Sequence, residues 1–361
     1  MDPASFREQF PVFERTAYLN AGSCGPLPGA CLRAAVDVAL EAAEAGRGMP
    51  YFLATTAAAT TLRGHYAAAL GAASPADVAL TTCTSEGLAR MIEALRLQPG
   101  DEVLTAPDEH PGLLGPLAAA RRHLGIEVRT APLAEIDAAV DPARTKLVAC
   151  SHVNWTTGAL APAGLADVGR EIPVLLDGAQ GAGAIDVDVT SLGCFAYAAA
   201  GQKWMCGPVG TGMLWVDPAW RERLHDIVPG YVNLVVPADG LEAAAWDDAR
   251  AFDAPALSRE VMAAAAASAE VLGRDGWDAL FAQAQLTCDE LVARLEAAGH
   301  DVAPRGPSTL VSWTVDDAAA VVERASAAGV TIRPLPGTPY VRASVGAWND
   351  AGDLERLLAV L

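Results

Sequence analysis

Two segments decide the fold: Val174-Leu175-Leu176-Asp177-Gly178-Ala179-Gln180, then Gly201-Gln202-Lys203-Trp204-Met205-Cys206-Gly207-Pro208-Val209-Gly210-Thr211-Gly212. The first is a short apolar run closed by an acid, the way a strand buried on both faces of a parallel sheet reads. The chain between them is long enough for one helix and one strand. The second segment carries Lys203, one of only two lysines; the other is Lys146. Lysine and arginine together number 25, so arginine fills almost every basic position. Arginine stays protonated, whereas a desolvated lysine amine can lose its proton and attack a carbonyl. Lys203 follows Ala198-Ala199-Ala200-Gly201 and opens a glycine-rich turn, the setting of a nucleophilic amine rather than a surface ion pair. Compositional drift could also leave two arbitrary lysines, so the rest of the chain has to decide.

Outward from these segments, short apolar runs alternate with Ala- and Leu-rich stretches, the pattern of a βαβ succession around a mainly parallel sheet. Strands are predicted at Val78–Thr81, Glu102–Thr105, Glu127–Thr130, 147–151, Val174–Asp177, 194–198 and Gly212–Val216. Helices are predicted at 85–95, Pro111–His123, 163–170 and 258–272. Gln98-Pro-Gly-Asp101 and Ala106-Pro-Asp-Glu109 supply turns. Beyond about residue 237 the texture changes: helices near 261–274 and 277–298 precede short strands near 309–314, 331–333 and 341–344 and a terminal helix. The expected organisation is an N-terminal segment 1–15, a large domain 16–240 and a smaller α+β domain 241–361. There is no internal repeat.

Composition excludes several functions. The 361 residues are 52 % hydrophobic, enough for a large core. A net charge of −19 argues against nucleic acid or an anionic membrane surface as partner. The start, Met1 to Phe10, is too polar for a signal peptide, and no run of 18 apolar residues offers a membrane span. Seven dispersed cysteines without a CxxC pair read as reduced thiols of a cytoplasmic protein. The six histidines do not cluster either, so no metal site is expected. Gly178-Ala-Gln-Gly181-Ala-Gly183 reverses the GxGxxG spacing, and there is no Walker A pattern, so nucleotide binding has little support.

Open α/β sheets bind ligands beyond the carboxyl ends of their strands, and polar residues gather there. Thr84 and Ser85 open a helix after the first predicted strand, where hydroxyls and free N–H groups suit a phosphate. With Glu86 they would equally serve as an N-cap with its capping acid. Asp177 ends a fully apolar strand; a buried carboxylate needs a partner, either a protonated ring nitrogen or the backbone it caps. His110 precedes a helix that begins with proline and is either a ring-stacking group or a loop residue.

Taken in order, Thr84-Ser-Glu86, Glu109-His110, Ser151-His-Val153 with Gly158, Asp177-Gly-Ala-Gln180, Gln202-Lys203 with Gly207-Pro208, and Arg342 resemble the class V aminotransferases, which depend on pyridoxal 5′-phosphate. That family includes cysteine desulfurases and isopenicillin N epimerase-like proteins. The resemblance runs from Tyr18-Leu-Asn20-Ala-Gly22 to Arg342-Ala-Ser344 and beyond. It implies fold type I of the pyridoxal-phosphate transferases and a homodimer acting on a small amino acid. It further implies that Lys203 carries the cofactor as a Schiff base and shuttles the substrate Cα proton. Asp177 would pair with the pyridine N–H⁺, Gln180 would hydrogen-bond the ring O3′ and His110 would stack on the ring. Thr84, Ser85 and Gln202 would serve the phosphate, while Arg342 would clamp the substrate carboxylate with Asn20 nearby.

The sequence departs from the family at three places. Ala200 and Gln202 stand where a serine and a histidine often add phosphate contacts, and Trp155 stands where an asparagine usually lies near O3′. Cysteine desulfurases carry a nucleophilic cysteine shortly before the carboxylate arginine. Here that stretch is Arg333-Pro-Leu-Pro-Gly-Thr-Pro-Tyr340, and no cysteine follows Cys288. Transamination and epimerisation, a β-eliminating C–S lyase without a catalytic cysteine, and a catalytically silent binding protein of the same fold are the competing readings.

Overall fold

The computed structural model describes residues 1–225 and 229–361. Two long helices come first, α1 (Gly29–Ala45) and α2 (Met49–Ala69), neither of them marked by the sequence reading. Seven strands then form one sheet: β1 (Val78–Thr81), β2 (Glu102–Thr105), β3 (Glu127–Thr130), β4 (Thr145–Ser151), β5 (Val174–Asp177), β6 (Ala196–Ala200) and β7 (Gly212–Val216). Their order is β1-β7-β6-β5-β4-β2-β3, with β7 antiparallel to both neighbours and every other pairing parallel. Strands β1, β2, β5, β6 and β7 are buried along their whole length, as their mainly apolar sequences favour, whereas edge strand β3 is half-exposed.

Helices α3 (Thr84–Ala94) and α4 (Pro111–His123) follow β1 and β2 and pack against each other. The run predicted as helix at 163–170 shrinks to a single turn, Leu165–Val168, because Pro162 and glycines at 164 and 169 bracket it. After the sheet, α5 (Arg259–Gly273) packs on α1 and α2, and α6 (Trp277–Ala297) leads to a three-stranded antiparallel sheet. That sheet comprises β8 (Leu310–Thr314), β9 (Arg333–Pro334) and β10 (Tyr340–Ser344) in the order β9-β10-β8. Helices Ala318–Ala327 and Ala351–Leu358 cover it. Its hydrophobic core takes in Ala17 and Leu19, because Ala17–Tyr18 pairs in parallel with Val330–Thr331. Among the described residues no helix is long and apolar enough to cross a membrane.

One buried ion pair ties α2 to the sheet edge. Arg63 donates to Asp253 Oδ1 at 2.9 Å and Oδ2 at 2.7 Å, while Asp253 also accepts from Leu80 N at 2.7 Å. Both residues are buried, so removing one partner leaves an uncompensated charge. Asp253→Ala should lower the unfolding free energy by about 3–5 kcal/mol. The double variant Arg63→Met/Asp253→Ala should lose less, and urea denaturation of the three proteins measures the difference.

Candidate active site

The carboxyl ends of β1, β2, β4, β5 and β6 converge on one edge of the sheet, and the loops there face the three-stranded sheet. Between them lies a cavity of about 190 Å³ lined by Gly22, Ser23, His110, Trp155, Gln180, Lys203, Arg333 and Arg342. A larger cavity of about 370 Å³ lies between α2 and residues 231–262, but no lysine faces it, so the chemistry belongs to the smaller one.

Lys203 is placed by the tight chain that follows β6. Cys206 N–H donates to its carbonyl, and Gly207 N–H closes back onto Gly201 O. Burial pushes its amine down to about 8 from an ordinary 10.5; the carboxylate of Asp177 opposes that shift, and Arg342 adds to it. Asp177 ends β5 in register with Ser151 of β4 and is buried. Its Oδ1 accepts from Ala179 N–H at 2.9 Å, so the residue does cap its turn. Only one oxygen is used that way. Burial raises the carboxyl above its ordinary range, with Lys203 and the Ala179 N–H pulling it back.

His110 is the N-cap of α4, its Nδ1 accepting from Gly112 N–H at 2.9 Å. That bond puts the neutral ring's proton on Nε2. Burial, followed by the positive field of Lys203, Arg333 and Arg342, lowers the imidazole to about 4, so it is uncharged near neutrality. Trp155 meets it edge to face at 5.2 Å, with its indole N–H donating to Asp108 O at 2.9 Å. Gln180 is braced at both ends: Nε2 donates to Gly22 O at 2.9 Å, and Oε1 accepts from the Trp204 indole N–H at 2.9 Å. One amide N–H remains for a ligand.

At the start of α3 the N-cap position falls on Cys83, whose side chain makes no capping bond. Glu86 instead folds back onto Thr82 N–H at 2.7 Å and Oγ at 2.6 Å and pairs with Arg90. The first-turn hydroxyls are therefore not consumed in capping. Thr84 Oγ1 is buried without a partner among the described residues, as is Gln202 Oε1.

Arg342 lies on β10 and is 1 % exposed. One Nη donates to Trp155 O at 2.6 Å; Nε and the other Nη find no partner among the described residues. Among the described residues no carboxylate pairs with it, although the protein holds 44 acids. Burial, with Arg333 next to it, lowers its guanidinium to about 9. Gly22 makes the approach possible: a Cβ there would stand 2.7 Å from Ser344 Oγ and 2.8 Å from Arg342 Nη2. Asn20 is half-buried and accepts from Ser23 Oγ at 2.8 Å, holding Ser23 at the cavity rim without lining the cavity itself.

The donors fit a phosphorylated aldehyde on a protonatable ring. They comprise an uncapped helix start with an orphaned hydroxyl, a buried carboxylate with a free oxygen, and a desolvated amine that lines the cavity. A family model described as aminotransferase class V matches residues 17–300. The chain belongs to that family, and pyridoxal 5′-phosphate is its cofactor. It is 32 % identical to isopenicillin N epimerase of Streptomyces clavuligerus over 228 residues, 60 % of this chain; there the match spans about half of the relative's length, 56 %. A probable cysteine desulfurase of Pseudomonas aeruginosa is 30 % identical over 404 aligned positions, covering 99 % of this chain and 97 % of that one. Among solved structures, the cystine C–S lyase C-DES in complex with its product cysteine persulfide superposes with a TM-score of 0.91 at 25 % identity, over 97 % of this chain and 98 % of that one.

The structure brings Lys203, His110, Gln180 and Arg342 to one cavity, with Asp177 facing Lys203 from β5. Sequence reasoning passes over two groups. Arg333 opens the stretch inspected only for a cysteine, and the side chain of Glu109 is given no task. Glu109 is buried and accepts from Ser151 N–H at 2.8 Å and from Ser151 Oγ, with no ion-pair partner among the described residues. Burial raises its carboxyl to about 7 despite those two bonds, with Asp177 and Asp108 adding to the rise.

A carboxyl raised from an ordinary 4.5 to about 7 means that the folded state prefers the protonated form. Its destabilising contribution is absent below pH 4.5, grows as pH rises and is complete above about 7. Wild-type stability should therefore fall relative to Glu109→Gln between pH 4.5 and 7, by roughly 3 kcal/mol. Urea unfolding of both proteins at pH 4.5 and 7.5 checks this. Parallel pH curves would remove the proton from Glu109.

Proposed function

We propose that the protein is a pyridoxal-phosphate enzyme that binds a free α-amino acid, removes its Cα proton and expels a group from Cβ: a C–S lyase without a cysteine nucleophile. The observation that carries this reading is the desolvated Lys203 amine, facing the buried Asp177 in a cavity whose nearest cation, Arg342, has no acid. The cofactor, when bound, supplies a carbonyl for amine capture and a sink for the electrons left at Cα. Arg342 offers two unpartnered N–H donors to the substrate carboxylate and so fixes which Cα bond faces Lys203. Lys203 Nζ takes the Cα proton and holds it for the leaving group; its lowered affinity for protons suits a base working near neutrality. With the cofactor bound, the free oxygen of Asp177 would keep the ring nitrogen protonated, His110 would stack on the ring, and Thr84, Ser85 and Gln202 would hold the phosphate.

Elimination is preferred to persulfide transfer because no cysteine lines the cavity or the 333–340 stretch. It is preferred to epimerisation because Lys203 is the one base among the described residues lining the cavity, His110 being held as a neutral cap. The similarity to a cystine C–S lyase over nearly the whole length of both chains supports it. We also propose a homodimer, supported by the exposed apolar stripe Leu32, Val36 and Leu40 on α1 with Met49, Phe52 and Leu53 beside it. Sedimentation equilibrium of the loaded protein should return twice the chain mass.

Borohydride reduction of the loaded enzyme should add the cofactor mass to the peptide containing Lys203, and Lys203→Ala and Lys203→Arg should both lose turnover. Incubated with sulfur-bearing amino acids, the wild type should release sulfide or persulfide with an α-keto acid. A D-amino acid as the sole product would replace this reading with the epimerase one. Arg342→Ala should weaken amino-acid binding about 30-fold or more while leaving the cofactor spectrum unchanged.

A further inference from the structure

Arg333 and Arg342 are directly opposed in the β9–β10 register, and both face the cavity. Opposed residues of an antiparallel pair bring their Cβ atoms to about 4.5–5.5 Å, and like charges placed there are destabilising. The chain accepts that cost without a compensating acid: among the described residues neither guanidinium has a carboxylate within ion-pair distance. Among the described residues the side chain of Arg333 makes one hydrogen bond, to a neutral group, Ser23 Oγ at 3.0 Å. Asp177 acts on Lys203, and a cofactor phosphate would sit at the start of α3, so neither of these anions neutralises the pair. A substrate with a single carboxylate would satisfy Arg342 and leave Arg333 without a counter-charge.

From this we infer that Arg333 is the recognition group for a second anion, and that the substrates are α-amino acids whose side chain carries a further carboxylate or comparable anionic group. The inference rests on the amino-acid reading above and narrows it. The partly exposed position of Arg333 at the rim, next to Ser23, places that anion toward the mouth of the cavity, away from the buried Arg342. Arg333 thereby sets side-chain specificity without taking part in proton transfer.

The test uses the pyridoxal-phosphate-loaded protein and three amino acids lacking a Cα proton, which bind without turning over: α-aminoisobutyrate, α-methylaspartate and α-methylglutamate. Dissociation constants come from titrating the cofactor's absorbance. At least one diacid should bind about tenfold or more tightly than α-aminoisobutyrate, as one charge-assisted contact implies. Arg333→Gln should erase that preference while changing the α-aminoisobutyrate constant less than about twofold, and Arg333→Lys should keep part of it. Equal affinity for all three ligands in the wild type overturns the second-anion inference and leaves the amino-acid reading standing. So does an Arg333→Gln loss that strikes α-aminoisobutyrate as hard as the diacids, because Arg333 then shares the single α-carboxylate with Arg342. No absorbance response to any of the three overturns both.

Discussion

A lysine amine taken out of water opposite a single buried carboxylate is the constraint around which the rest of the site is arranged. An unpaired ammonium in such a place is costly, and the amine answers by giving up its proton more easily. Asp177 restrains that tendency and Arg342 strengthens it, so the amine's proton affinity is set by residues on three different elements. Those positions follow from the sheet: β5 and β6 are adjacent parallel strands, with Asp177 paired to Ala198 in register and the turn after β6 carrying Lys203. A slip of one residue would turn Asp177 to the other face and leave the amine without its counter-charge.

The charge inventory of the cavity runs against that of the whole molecule. The chain carries −19 overall, yet Lys203, Arg333 and Arg342 meet in one space with Asp177 as the facing acid. Ordinary stability would draw any of the many surface carboxylates toward such a cluster. A cationic cluster left unpaired among the described residues of an acidic chain is the electrostatic arrangement expected of a site that takes anionic ligands. The acidic exterior does not oppose this, since fields from exposed charges are screened over about 8–10 Å in salt.

Much of this arrangement was legible in the sequence. Five of the seven predicted strands of the large sheet keep their predicted bounds, and two shift by about two residues, 194–198 to Ala196–Ala200 and 147–151 to Thr145–Ser151. Apolar runs closed by turn residues leave little freedom, and the ordered polar motifs at their ends mark the edge where the cavity forms. What stayed hidden has a common cause. The pairing of Arg333 with Arg342 depends on a hairpin closed by Pro334-Leu-Pro-Gly-Thr-Pro339, whose register no periodicity reveals. The task of Glu109 depends on β4 lying beside the loop after β2, a contact between distant parts of the chain. The helix α2 is hidden because its alanine- and threonine-rich faces give little amphipathic contrast, whereas α1 carries its apolar stripe of Leu32, Val36 and Leu40 on the exposed side.

The two halves of the site therefore answer to different physics. The large sheet positions Lys203 and Asp177 at strand ends fixed by parallel pairing and full burial, where a change of residue disturbs a core. The substrate-facing arginines come from a short antiparallel hairpin on a separate hydrophobic core, joined to the first at Gly22, where the absence of a Cβ lets Arg342 reach the cavity. A hairpin with one half-exposed strand can change length or charge at little cost to the sheet. In this chain it has no cysteine and holds two opposed arginines, so the departure from the desulfurase pattern falls on the element free to vary. Lys203 and Asp177 stay with the element that is not. Lys203 and Asp177 thus rest on the buried parallel sheet, whereas the two opposed arginines rest on the hairpin within residues 333–342.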